Sequence, residues 1–153
     1  TARGPRTDAD DTVTYSYDAN GNLATVANAL GHVTTLSNYD AHGRVGRITD
    51  ANGRATDFSY TLRGWLSGTT SAGMTTSYTY DNVGQLTGVS LPEGGMITYG
   101  YDDARRLVSV SDALGNSIGY TLDKLGNRTG EQVRDASGTL SRQLARVFDN
   151  LGR

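Results

Sequence analysis

The side chains of this chain that could do chemistry are its acids, its hydroxyls and two histidines, and the acids recur at a regular spacing. Asp18, Asp40, Asp81, Asp102, Asp123 and Asp149 each stand three residues before a turn position, which is Gly21, Gly43, Gly84, Arg105, Gly126 or Gly152. Acids and glycines in repeated turns are ingredients of calcium sites. Each turn here supplies one acid, short of the ligand set a hard cation needs. An Asp that opens a turn can instead accept from a backbone N–H two residues on, and turn capping is the reading this spacing favours. His32 and His42 lie ten residues apart with no cysteine and no third histidine, so they read as surface polar residues. No Gly-x-Ser-x-Gly elbow is present, and the neighbours Asp102 and Asp103 would point to opposite faces of an extended chain. No catalytic, metal or cofactor constellation emerges from these types. The tyrosines could stack sugars or proline-rich peptide. Packing across strands is the better reading, at about 0.2–1 kcal/mol per aromatic pair. Trp65 follows a turn glycine, a slot filled elsewhere by Asn22, Arg44, Gln85, Arg106 and Asn127. It is a candidate surface contact, or it covers a gap left by Thr61.

These residues are positioned by a repeat. Tyr17, Tyr39, Tyr60, Tyr80 and Tyr101 each precede by four residues Gly21, Gly43, Gly64, Gly84 or Arg105. With Asp123 to Gly126 and Phe148-Asp149 to Gly152, seven copies share a period near 21 residues, and only the last interval is much longer. A second turn lies midway, as in Asn28-Ala-Leu-Gly31, Asp50-Ala-Asn-Gly53, Asp112-Ala-Leu-Gly115 and Asp135-Ala-Ser-Gly138. Asp-x-x-Gly is a turn signal because Gly tolerates positive φ at the fourth place. Between turns run short segments rich in Thr, Tyr, Val and Ser whose aromatic residues alternate, as in Tyr78 with Tyr80 and Tyr99 with Tyr101, the pattern of strands with one apolar face. The pairs Leu23/Val26, Leu86/Val89 and Leu107/Val110 are three apart and would fall on opposite faces of an unbroken strand; a regular bulge is one explanation.

Two strands per unit predict an all-β meander of about 13 antiparallel strands, roughly 60 Å wide at about 4.8 Å per strand. A sheet of that width must curl, close or be continued by neighbours, so a curved open sheet is expected. A 36% hydrophobic content, 20 glycines and two phenylalanines are lean for a two-layer core, whereas nine tyrosines suit a single layer with both faces near water. A formal charge of −2 argues against nucleic acid as a partner. No segment approaches a membrane span, and no signal peptide is visible at Thr1. Residues 1–12 carry no strand pattern and read as a frayed or linker segment ahead of an array over 13–153. Since the chain stops inside a fresh copy of the motif, it reads as a piece of a longer array. The stretch 138–152 fits a helical stripe or a long hairpin, and the register of Phe148-Asp149 favours the hairpin.

The motif Tyr-Asp-x-x-Gly followed by a polar residue and Leu, as in Tyr17-Asp-Ala-Asn-Gly-Asn-Leu23 and Tyr80-Asp-Asn-Val-Gly-Gln-Leu86, resembles the YD repeats of the RHS (rearrangement hotspot) family. The likeness covers residues 13 to 153. It implies a β-spiral shell that encapsulates a C-terminal polymorphic toxin for secretion and delivery, in bacteria often through type VI secretion. Toxin-complex components and teneurins belong to the wider group. The resemblance implies a structural wall and no enzyme, with the rest of the array and the toxin as partners, and no Asp-Pro pair for autoproteolysis is present. An adhesion surface for sugar or protein is the alternative. A cargo of about 150 residues, with a radius of gyration near 15 Å, needs a wall of about 25–30 strands per turn. The segment would then enclose nothing alone, and its strand edges would seek more array or another copy.

Overall fold

A computed structural model describes residues 1–3 and 11–149, and among them every regular element is a β-strand. The chain divides into two compact units, Thr1–Thr75 and Thr76–Arg153. In the first lie β1 (Ala2–Arg3), β2 (Thr12–Tyr17), β3 (Leu23–Ala27), β4 (Val33–Ser37), β5 (Arg47–Thr49), β6 (Ala55–Tyr60) and β7 (Leu66–Ser71). The second holds β9 (Leu86–Ser90), β10 (Met96–Tyr101), β11 (Leu107–Asp112), β12 (Ser117–Leu122), β13 (Arg128–Arg134) and β14 (Leu140–Ala145). The division falls inside β8 (Met74–Tyr80). Within each unit every strand pairs antiparallel with the next in chain order, and neither run closes on itself. This is the expected meander of tandem hairpins in an open sheet, with β1 as a strand beyond the turn count. Leu140–Ala145 is extended and pairs with β13, as the hairpin reading of that stretch expects.

The bulge that would explain the three-residue spacing is present. Ser16 pairs with Thr25 but Tyr17 pairs with Leu23, so Ala24 is the extra residue. The same shift sets aside Ser67, Thr87, Val108 and Thr129 in the hairpins β6–β7, β8–β9, β10–β11 and β12–β13. One extra residue restores the parity that a spacing of three would break. Leu23 and Val26 therefore share the face of their partners Tyr17 and Tyr15, as Leu86 and Val89 share that of Tyr80 and Tyr78.

No apolar side chain among the described residues is fully buried. The aromatic and aliphatic face is half-covered by cross-strand neighbours, while the opposite face carries hydroxyls that meet across strands: Ser16 with Thr25 at 2.6 Å and Thr98 with Ser111 at 2.6 Å. A single layer leaves nothing thick enough to enclose a side chain.

Candidate functional site

The repeated unit of interest is the tyrosine-bearing turn. Its Asp closes the loop twice. In the first copy the Asp18 N–H donates to the Asn22 carbonyl at 2.8 Å, and the Asp18 carboxylate accepts the N–H groups of Asn20 and Asn22, each at 2.9 Å. Asp40, Asp81 and Asp123 accept from the second and fourth residues on in the same way. The midway turns of Asp50, Asp112 and Asp135 repeat the geometry, and Asn28 performs it with its amide oxygen. The carboxylates are thus committed to backbone donors, the capping role expected of them.

These bonds favour the ionised carboxyl. A side-chain donor leads at five of the turns: Asn22, Arg106, Asn116, Asn127 and Ser137 hold Asp18, Asp102, Asp112, Asp123 and Asp135 below the usual carboxylate range. At Asp40 and Asp81 partial loss of hydration pushes upward, and the combined N–H donors outweigh it.

The copies that depart from the motif keep its geometry. Arg105, in the glycine slot, adopts φ of 64° and its N–H still reaches the Asp102 carbonyl at 2.8 Å. Thr61 substitutes a hydroxyl, which accepts the Trp65 N–H at 3.1 Å. Leu122 stands in the tyrosine slot opposite Arg128, whose guanidinium lies 3.8 Å from the Tyr120 ring centre. There the apolar face is interrupted by Glu131, 11% exposed between Arg128 and Arg142.

The signature tyrosine joins one hairpin to the previous one. Pairing between β3 and β4 covers only Thr25–Ala27, so the Leu23 carbonyl lies beyond the ladder, and the Tyr39 hydroxyl donates to it at 2.6 Å. Tyr60 donates to the Val45 carbonyl at 3.0 Å and Tyr101 to that of Leu86 at 2.9 Å. Each tyrosine thus bonds a carbonyl 15 or 16 residues back, in the preceding hairpin.

A second strap runs forward from the slot after the glycine. The Arg44 guanidinium grips Asp40 at 2.6 Å, lies 4.9 Å from the Tyr60 ring centre and reaches the Thr61 carbonyl at 3.4 Å. Arg106 bonds Asp102 at 2.8 Å and the Asp123 carbonyl at 2.7 Å, and Gln85 donates to the Arg105 carbonyl at 3.0 Å. Trp65 occupies the same slot, half-buried, with the Arg63 guanidinium 5.4 Å from its ring centre.

The structure brings together Tyr39, Asp40, Gly43, Tyr60, Gly64, Tyr101 and Asp102 in these latched turns, and Asp81 with Gly84 and Asp123 with Gly126 in turns of the same form. Tyr80 is half-buried and pairs with Leu86. Tyr17 is 65% exposed, while Phe148 is half-buried and Asp149 exposed beyond β14. Gly152 lies outside the described residues. The backward latch and forward straps are not expected from the sequence. The signal for the straps is the recurrence of Arg and Gln in the slot after the turn, and that for the latch is the tyrosine period itself.

An Asp-capped hairpin, latched by tyrosine in three copies, recurs along an open antiparallel sheet. Residues 5–128 match the Teneurin YD-shell family, and the chain belongs to that family. Solved structures share the fold. The crystal structure of TcdB2-TccC3-Cdc42 is similar over 94% of this chain and 9% of its own, at a TM-score of 0.76 and 17% identity. TcdB2-TccC3 matches over 89% of this chain and 9% of its own, at 0.73 and 18%. The Photorhabdus luminescens Tc holotoxin pore matches over 88% and 9%, at 0.62 and 18%. The chain spans about a tenth of the length of these relatives. No curated protein matches its sequence. Its role is that of shell-forming structure.

Proposed function

We propose that the chain is a non-enzymatic wall segment of an RHS-type shell that encapsulates a C-terminal polymorphic toxin for secretion and delivery by a bacterial system. The observation that carries this reading is the backward tyrosine latch, because a hairpin whose carbonyl is satisfied by the next one is built to be continued, as a wall is. The likeness to toxin-complex structures supports the choice of cargo. The partners are the rest of the array, which extends the strands on either side, and the enclosed toxin. The edge of β14, exposed along its whole length, is where further array or a second copy would add.

The test uses the full-length protein that carries this segment. Its C-terminal domain should resist protease while the shell is intact, and deletion of residues 13–149 should expose it. A C-terminal domain cleaved equally fast in both forms would sink the encapsulation reading. For the isolated chain, light scattering after size exclusion should show association that grows with concentration; a strict monomer would count against self-pairing edges.

A further inference from the structure

Two turns carry the same tetrapeptide, Asp18-Ala-Asn-Gly21 and Asp50-Ala-Asn-Gly53, so their intrinsic chemistry is matched and any difference between them is structural. An Asn-Gly pair is the sequence most prone to spontaneous loss of the side-chain amide. The glycine nitrogen attacks the Asn Cγ, a C–N bond forms, the Cγ–Nδ2 bond breaks, and ammonia leaves with the proton given up by the backbone N–H. Water then opens the cyclic imide at either carbonyl, giving Asp or isoaspartate, with no change of oxidation state. Glycine favours the attack because it carries no side chain beside the ring that forms. Around Gly21 and Gly53 nothing lies within 4 Å of where a Cβ would stand, and Asn20 and Asn52 are exposed.

The turn itself opposes the reaction. The attacking nitrogen of Gly21 donates to the Asp18 carbonyl at 3.1 Å and that of Gly53 to the Asp50 carbonyl at 3.0 Å, so each nucleophile is engaged while its turn is closed. The Asp18 carboxylate accepts three donors, the N–H groups of Asn20 and Asn22 and, at 3.0 Å, the side-chain amide of Asn22. The Asp50 carboxylate holds the N–H groups of Asn52 and Arg54, at 2.9 and 2.8 Å. One added hydrogen bond makes opening of the first turn about fivefold rarer than that of the second.

We propose that Asn20 and Asn52 are deamidation sites gated by opening of their Asp-capped turns, and that Asn52, whose turn lacks the extra amide clasp, reacts first. An isoaspartate at either place adds a carbon to the backbone of a loop closed by short bonds and loosens that turn irreversibly.

The test is peptide mapping by mass spectrometry of the full chain held in mildly alkaline buffer, beside the same chain in concentrated urea. In urea the two sites should react at equal rates. In the folded chain both should slow, with Asn52 about fivefold ahead of Asn20. Asn22→Ala should bring Asn20 up to the rate of Asn52, and Arg54→Asn, which supplies the missing amide, should slow Asn52. Equal folded rates at the two sites, or an Asn22→Ala variant with an unchanged ratio, would overturn the proposal. If either variant fails to fold, the ratio in the unaltered chain still decides.

Discussion

Tyr101→Phe removes one oxygen and keeps the ring, so it isolates the latch. The hydroxyl donates at 2.9 Å to the Leu86 carbonyl in a half-buried setting. A net hydrogen bond contributes about 0.5–1.5 kcal/mol, and a fully buried carbonyl left alone would cost up to about 3 kcal/mol. Water can reach this half-buried carbonyl, so the loss should be about 1 kcal/mol. With a urea slope of about 1–3 kcal/mol/M, the unfolding midpoint falls by about 0.3–1 M at unchanged slope. Because repeats open locally, amide exchange in the hairpin of β10 and β11 should also rise about fivefold. Tyr17→Phe is the control: the same slot, but 65% exposed and with no hydroxyl contact among the described residues. Its midpoint should move by less than a third as much. Equal shifts for the two variants, or none for Tyr101→Phe, would refute the latch as an energetic feature and leave the tyrosines as packing alone.

Three further expectations follow from the turns. Because the turn carboxyls of Asp18, Asp40, Asp81, Asp102, Asp112, Asp123 and Asp135 sit below their ordinary value when folded, the unfolded chain binds protons more readily. Their contribution is present in full above about pH 5 and is lost as pH falls below about 4, so circular dichroism should show a stability plateau near neutrality and unfolding only in acid. Gly21→Ala, at φ of 84° in open space, should cost about 1–2 kcal/mol by backbone strain alone. Gly46→Ala should cost more, since its Cβ would lie 2.2 Å from the Asn38 carbonyl oxygen, and thermal melts that rank the two the other way would contradict the close approach. Arg105→Gly relieves a left-handed non-glycine residue at φ of 64° and should raise stability by about 0.5–1 kcal/mol in urea melts, the strain relief being partly offset by the entropy of glycine in the unfolded chain.

Local rules reach far into this fold. Asp18 and Gly21 specify a turn because the cap and the positive φ are decided within five residues, and the spacing of Leu23 and Val26 encodes the bulge for the same reason. The latch is invisible at that range. Whether the Tyr60 hydroxyl meets the Val45 carbonyl depends on where pairing between successive hairpins stops, which is a property of two registers at once. The hairpin around Tyr39 shows the limit from the other side. Its Tyr39-Asp40 to Gly43-Arg44 stretch fits the motif, yet β5 is only three residues long. Asn38 takes φ of 56° and Gly46 packs against its carbonyl, and the Gly46 N–H bonds the Ser37 carbonyl at 3.2 Å. Gly46 permits that close approach, and nothing in a single copy announces it.

The backward latch gives the array a direction in time. A hairpin leaving the ribosome carries a turn already closed by its own Asp, while the carbonyl of Leu23, Val45 or Leu86 waits for a tyrosine 15 or 16 residues later in the chain. The three hairpins so latched are each completed by the one synthesised after it, while Arg44, Gln85 and Arg106 reach forward to carbonyls of the segment that follows. A break in synthesis, or an insertion that delays the next tyrosine, leaves the carbonyl of the last hairpin without its latch.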